Sequence, residues 1–462
     1  MNEFGATNDD FRHLDDGLPP EIQRLKDVGQ LKRAIRLIEG ELRAGTRPEL
    51  APCLRAERAR MLRMPLDFCV TREAAHEQVR AEWPDFSEDD LDRLVDARRI
   101  DWRLVEGEQR FLDNFVDSLR KYPEDVPGLA CPVQDRAEQL AVLDEMREKG
   151  FAERRIRIRA SIAAGEGVDV APDTPVRCWL PLPAECPQIC DIQLRDATPG
   201  VQVAPADAPQ RTAYWETCGE REFYVDYEYT IRAPYVDLWC EAPAPAEKDA
   251  RFASAPAPEV ADVAEQRPHI TFTPYLRELA DRLFATIPAD DALGRARAAY
   301  DYVTNNVDYR FQPEYLLLDP IADSCAKSLR GDCGVFAVTF ITLCRLGGVP
   351  ARWQSGLYAA PDYVGPHDWA MFYVEGLGWL WADCSFGSSA RRDGDEARRR
   401  FYFGNLGPWR MVANSQFMAP LTPACDTLRA DPYDNQVGEL VVGDRGLTFH
   451  DFTWQTTLVS MS

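Results

Sequence analysis

The chain has 462 residues, a formal charge of −23 and 45% apolar residues, enough for two to four domains and a sizeable core. So strong a negative charge argues against nucleic acid or an anionic membrane surface as partner, because a polyanion is repelled, and it favours a basic peptide or protein substrate. The opening MNEFGATNDDFRHLDDGLPP has no basic stretch leading into an apolar run, and no apolar run reaches membrane-spanning length, so the expectation is a soluble cytoplasmic protein whose thirteen cysteines are mostly reduced thiols.

Residues 1–150 read as a helical region. Ile22, Leu25, Val28, Leu31, Ile35, Ile38 and Leu42 fall on one helical face. Further helices are predicted over 50–64, 71–82, 101–122 and 132–149, and Ser87 to Asp90 resembles a capping box that opens another near Glu88. The region carries no chemical motif, and His76 reads as exposed rather than as a ligand.

From Phe151 the pattern changes to period two. Arg154–Ala163, VRCWLPLP at 176–183 and EFYVDYEYTIR at 222–232 predict strands of a β-sandwich over 151–245. Cys178, Cys186, Cys190 and Cys218 lie in this part, but they lack a paired CxxC and have no His nearby, which argues against zinc. A Pro/Ala-rich stretch, 242–263, reads as a linker.

The core is expected over 265–420. Helices are predicted at 274–286 and 291–305, followed by Tyr309-Arg310-Phe311. Gly331-Asp332-Cys333-Gly334 is a turn, and Val335, Phe336, Val338, Phe340, Leu343 and Leu346 have the spacing of a buried helix, stopped by Gly347-Gly348 and Pro350. Cys333 therefore falls at a helix N-terminus, where the dipole favours a thiolate and free N–H groups can hold an oxyanion. After a strand at 351–358, Trp369, Met371 and Tyr373 alternate along a second strand that His367 opens; Gly376-Leu377-Gly378 turns it back into a third that ends at Asp383. Such a hairpin can set His367 against Asp383. Singly, Cys333 is a small buried apolar residue, His367 a loop histidine and Asp383 a turn residue; together they compose a Cys/His/Asp triad. Asp368 is a rival orienter of His367, but adjacent strand residues point to opposite faces.

The motifs G-D-C-G-V-F-A, L-G-G-V-P-A-R, H-D-W and G-W-L-W-A-D, in this order, resemble the transglutaminase-like superfamily of papain-like cysteine enzymes. The resemblance implies an α+β fold in which a papain-like core follows a β-sandwich and an N-terminal helical region. It implies that Cys333 is the nucleophile, His367 the general base and acid, and Asp383 its orienting partner. The strand VRCWLPLP extends the likeness back to about residue 151, and Cys384 stands where the family commonly has Pro. The family also leads one to expect an oxyanion donor upstream, with Gln312 or Tyr309 as candidates; Tyr309 reads equally well as packed core. No metal or organic cofactor is expected, and no calcium-loop motif is present. The implied chemistry is attack of Cys333 on a peptide or carboxamide carbonyl, with hydrolysis favoured over amine transfer by a transglutaminase; a non-catalytic scaffold is the remaining alternative. Downstream, 391–400 reads as a solvated helix. Asn405, Arg410 and Asn414 are expected to face the cleft, the strands within 421–462 to extend the core sheet, and His450 to be structural.

Overall fold

In the computed structural model, which describes residues 5–122, 124–126, 136–241, 243–244 and 255–462, the chain divides into two units. The first is Met1–Asp135 with Tyr309–Asp319; the second is Arg136–Asp308 with Pro320–Ser462.

The first unit follows its apolar periodicity in the helices Pro20–Asp27, Leu31–Ala44, Ala51–Asp67, Arg72–Glu82 and Glu88–Asp96, with Ile22, Leu31, Ile38, Leu54 and Met61 buried. Ser87 and Asp90 cap the last of these reciprocally. The helix expected over 101–122 is absent. The chain there forms a hairpin, β1 (Trp102–Val105) and β2 (Glu108–Phe111), and then a short helix, Phe115–Leu119. Glu106 and Gly107 make the turn with φ of 51° and 86°, the pair of positive values that a two-residue hairpin turn requires. Trp102, Val105 and Phe111 have helical spacing, and the turn overrides it. Gly29, at φ +71°, lies so close to the hairpin that an added Cβ would fall 2.5 Å from the Leu104 carbonyl oxygen. Segment 309–319 is held within this unit by Arg63 to Glu314 at 3.1 Å and by the Glu314 N–H donating to Asp67 at 2.7 Å.

In the second unit the helix expected over 132–149 is formed from Ala137 to Lys149; residues 132–135 lie outside the described residues. Its strands are β3 (Phe151–Ala164), β4 (Pro175–Pro181), β5 (Ile189–Ala197), β6 (Gln202–Val203), β7 (Thr212–Cys218), β8 (Glu222–Pro234), β9 (Ala351–Ala360), β10 (Tyr363–Val374), β11 (Gly378–Ala382), β12 (Phe403–Gly404), β13 (Arg410–Asn414), β14 (Glu439–Val442), β15 (Arg445–Gly446) and β16 (Phe452–Met461). Two antiparallel sheets, ordered β15-β14-β4-β7-β6 and β16-β3-β8-β5, form the β domain; the core sheet is β12-β11-β10-β9-β13.

The C-terminal strands therefore do not extend the core sheet. β14 pairs with β4 and β16 pairs with β3, so each sheet of the β domain is completed from the far end of the chain. β3 shows why: its fourteen residues are hydrogen-bonded to β8 on one side, and without β16 the other edge would expose a long row of unpaired backbone groups. Cys178 is buried on β4, while Cys218 is exposed at the end of β7. Residues 391–400 are largely solvent-exposed, as expected, but are not one helix. Two helices, Cys384–Arg392 and Glu396–Phe401, meet there; Arg398 and Arg399 are buried, and Arg399 pairs with Asp301 at 2.6 Å and Glu396 at 2.7 Å.

The helix Cys333–Leu346 is apolar on every side and packs on β9 and β10, where Phe340 meets the ring of Phe372 edge-on at 5.9 Å. Among the described residues, no helix is long and apolar enough to cross a membrane.

Candidate active site

Asp332, in extended conformation, caps this helix by accepting the Val335 N–H at 3.2 Å, so Cys333 is the first helical residue. The thiol is half-buried and donates to Asp368 Oδ2 at 3.2 Å. Burial, then the carboxyl groups of Asp368 and Asp332, push it well above its ordinary value. Burial and nearby acids therefore act against the thiolate that a helix N-terminus favours.

His367 lies on β10 opposite Gly356 of β9. Gly356 has φ +155°, and an added Cβ would sit 2.1 Å from the Met411 carbonyl oxygen, so this close strand approach needs glycine. β10 pairs with β11 only over 370–374; at His367 its strand partner is β9 alone. His367 Nε2 meets Asp383 Oδ2 at 2.8 Å, and Arg410 Nη2 donates to the same oxygen at 2.7 Å. Asp383 Oδ1 accepts the Ser385 hydroxyl and the Phe386 N–H, each at 3.0 Å. Rings of Phe386, Trp369 and Tyr358 stand 5.0, 6.0 and 6.3 Å from the imidazole. The Arg410 guanidinium lies over Phe386 and Tyr358.

Burial alone would raise Asp383, but His367 and Arg410 overcome it and hold this carboxylate far below the usual range. Burial lowers His367, with Asp383 opposing. A neutral imidazole facing an ionised carboxylate must carry its hydrogen on Nε2, which leaves the Nδ1 lone pair to take a proton. Cys384, where the family commonly has Pro, is the first residue of the helix that Asp383 caps, a position at which Pro is favoured but not required.

A second polar group surrounds Asp368. Its Oδ1 accepts Gln436 Nε2 at 2.8 Å, and the same Nε2 donates to the His367 carbonyl at 3.0 Å. The carboxyl groups of Asp368 and Asp434 lie against each other, close enough that each acts on the other's ionisation. Asp434 Oδ1 also accepts Ser355 Oγ at 2.7 Å, Asn414 Nδ2 at 2.6 Å and the Asn435 N–H at 2.6 Å. Burial, then Asp434 and Asp332, push Asp368 well above a normal carboxyl, and burial with Asp434 pushes Asp431 up to about 8. Asp431, Asp434, Gln436, Phe449 and Trp454 help to line a cavity of about 240 Å³.

The predicted row is therefore joined at one link. His367 meets Asp383, but among the described residues no hydrogen bond joins Cys333 to His367; the thiol turns to Asp368. Asp368 does not orient His367, as strand alternation foretold, and its position toward Cys333 was missed. Gln312 and Tyr309 lie in the first unit with local contacts. Gln312 Nε2 donates to the carbonyls of Arg310 and Phe311, both at 3.2 Å, and the Tyr309 ring stands edge-on to Phe311. Asn405 does not face the cleft: it is buried and bonds the backbone of Val236 through both ends of its amide. Asn414 belongs to the Asp434 group and Arg410 to Asp383. Asp434 and Gln436 went unnoticed in the sequence, where DPYDNQVGEL offers only two acids three apart in a partly apolar stretch.

A cysteine at a helix head beside a buried His–Asp pair, on a mixed helix and sheet fold, defines a cysteine-enzyme core. Residues 277–384 match the transglutaminase-like superfamily, and this segment, which contains Cys333, His367 and Asp383, is a transglutaminase-like core. Among solved structures, a protein of Cytophaga hutchinsonii described as a candidate cysteine protease is similar at 14% identity and a TM-score of 0.41, covering 67% of this chain and 93% of its own. The periplasmic domain of TgpA from Pseudomonas aeruginosa, bound to ethylmercury, is similar at 14% identity and a TM-score of 0.27, covering 54% of this chain and 96% of its own. No curated protein matches the chain.

Proposed function

We propose that the protein is a cysteine-dependent acyl-transfer enzyme that acts on peptide or carboxamide bonds of a basic peptide or protein, with Cys333 as nucleophile, His367 as general base and acid, and Asp383 as its orienting partner. The observation that carries this reading is the preformed Arg410–Asp383–His367 row, which leaves Nδ1 ready for a proton in the segment that also supplies Cys333. The thiol turns from Asp368 toward His367, and its proton passes to His367 Nδ1. The thiolate attacks the carbonyl carbon, His367 returns the proton to the departing amine, and a thioester remains on Cys333. A water that gives its proton to His367 then attacks the thioester, and the acid leaves as the thiol re-forms. The reaction is thus hydrolysis, that of a peptidase or deamidase. An amine in place of that water would make the enzyme a transglutaminase, and the acid-lined cavity is the feature that favours this second reading.

Incubation with a peptide library, scoring cleavage, ammonia release and amine incorporation together, tests the proposal. Cys333→Ala is expected to lose at least about a thousandfold in rate, as removal of a covalent nucleophile does. A Cys333→Ala protein of undiminished activity would remove the thiol from the reaction.

A further inference from the structure

The acyl-transfer reading leaves one contact unexplained: the resting thiol is held by a carboxyl group that the Cys/His/Asp chemistry does not use. Asp368 faces Cys333 while its chain neighbour His367 faces Asp383, because successive residues of β10 point to opposite faces. The contact is not incidental, since Asp368 is fixed from three directions. Gln436 holds one oxygen, the Cys333 thiol meets the other, and the Asp434 carboxyl group lies against the same carboxyl group. Asp434 is fixed in turn by Ser355, Asn414 and the Asn435 backbone.

We propose that Asp368 is a positioning residue for the nucleophile: with Asp434 it forms a buried carboxyl pair that shares one proton and keeps Cys333 a neutral, hydrogen-bonded thiol until it turns to His367. The inference rests on the acyl-transfer reading for what the thiol does next, but not for the contact itself. Two carboxyl groups lying against each other cannot readily both ionise, so the pair carries a single negative charge. Other charges face the site from each packed element: Asp332 from the helix cap, Tyr363 from the start of β10, and Asp431, Arg429 and Glu439 from the segment beyond β13. Arg429 pairs with Glu439 at 3.2 Å and also favours the charged form of Asp434, so the pair's negative charge is drawn toward Asp434 rather than toward the thiol. When the thiolate forms, the proton on sulfur goes to His367 Nδ1 and the proton shared by Asp368 and Asp434 stays where it is, so the step balances without a further reagent.

The pair predicts opposite effects from its two members. In Asp368→Ala the thiol loses its acceptor and the carboxyl group next to it, and the pair's charge is left on Asp434 alone. In Asp434→Asn the single charge is confined to Asp368, next to sulfur. Iodoacetamide alkylation of Cys333 in the full-length protein, followed by peptide mass spectrometry from pH 6 to 10 with the exposed Cys69, Cys218 and Cys240 as internal references, reads both. Since the alkylated species is the thiolate, each unit by which the thiol pKa falls gives about tenfold faster labelling at neutral pH. Asp368→Ala is expected to label about tenfold faster than wild type, Asp434→Asn several-fold slower, and Asp368→Asn, which mimics the protonated partner, at close to the wild-type rate. Unchanged labelling in Asp368→Ala, or a shift in the same direction for Asp368→Ala and Asp434→Asn, overturns the proposal. Only the acyl-transfer reading falls if these shifts occur while Cys333→Ala retains acyl transfer. Only the carboxyl-pair proposal falls if acyl transfer needs Cys333 and labelling ignores both aspartates.

Discussion

Asp383 and Asp368 are buried carboxyl groups that serve neighbouring residues of one strand or its helix partner, yet they sit in opposite protonation regimes. Asp383 faces a guanidinium and an imidazole and is held ionised. Asp368 faces a thiol and a second carboxyl and is pushed toward its neutral form. Burial acts the same way on both, since it disfavours the charged form. Arg410 is what separates them: a fully buried cation 2.7 Å from Asp383, with no counterpart in hydrogen-bond contact with Asp368 among the described residues. The nature of the partners, more than depth, decides which carboxyl group can act as an anion beside the imidazole and which can only share a proton.

The largest expected effect breaks this contrast at its cation. Arg410→Met leaves Asp383 buried beside His367 without its guanidinium partner, and loss of one member of a buried ion pair typically costs about 3–5 kcal/mol. Thermal or denaturant unfolding should show a destabilisation of that size, and Arg410→Met combined with Asp383→Asn should recover part of it, because the stranded charge is gone. A single variant as stable as wild type would mean that Arg410 does not sustain the ionised state of Asp383.

Much of this was legible in the sequence, and what was not has a common cause. The helix that Cys333 opens and the hairpin that carries His367 and leads to Asp383 could be read because a helix stop, a hairpin turn and strand alternation are local signals, each set within a few residues. The sandwich strands 176–183 and 222–232 were legible for the same reason. The partners β14 and β16 were not, since pairing Leu440 with Cys178 or Phe452 with Ala164 is a tertiary choice that local periodicity does not encode. The hairpin at 102–111 shows the converse error, where helical spacing of Trp102, Val105 and Phe111 concealed a Glu106-Gly107 turn. Asp368 was judged by the right rule, alternation, against the wrong partner: the thiol comes from a helix 35 residues earlier.

A smaller effect follows from how the two groups respond to pH. Asp383 and His367 are both depressed in the folded state. Their contribution is complete above the unfolded values, about 4 for Asp and about 6.5 for His, and is lost as pH falls below them. Asp431, beside Asp434, is raised to about 8; its contribution is complete below about 4 and is lost as pH rises toward about 8. Stability measured from pH 4 to 9 should therefore change slope in Asp431→Asn: the loss as pH rises should shrink by at most about 1.4 kcal/mol per pH unit, the share of one proton, while the raised Asp368 keeps the remainder and the acid limb stays. An unaltered alkaline slope in this variant would place the proton uptake elsewhere.

The smallest expected effect concerns the one side chain that touches both regimes. Gln436 Nε2 donates to Asp368 and to the backbone carbonyl of His367, so it fixes the strand at the point where the two faces diverge. Gln436→Leu has a similar volume but no donor, and it leaves two acceptors short of a partner at about 1–2 kcal/mol, since Gln436 is only half-buried and water can replace part of what is lost. Without this donor the ionised form of Asp368 is less well solvated, so its proton is held more firmly, while Asp383 on the far face is untouched. The variant should melt slightly lower, keep the acid limb set by Asp383 and His367, and alter the labelling of Cys333 by less than Asp368→Ala does. Loss of the acid limb in Gln436→Leu would show instead that the two faces of β10 do not titrate independently.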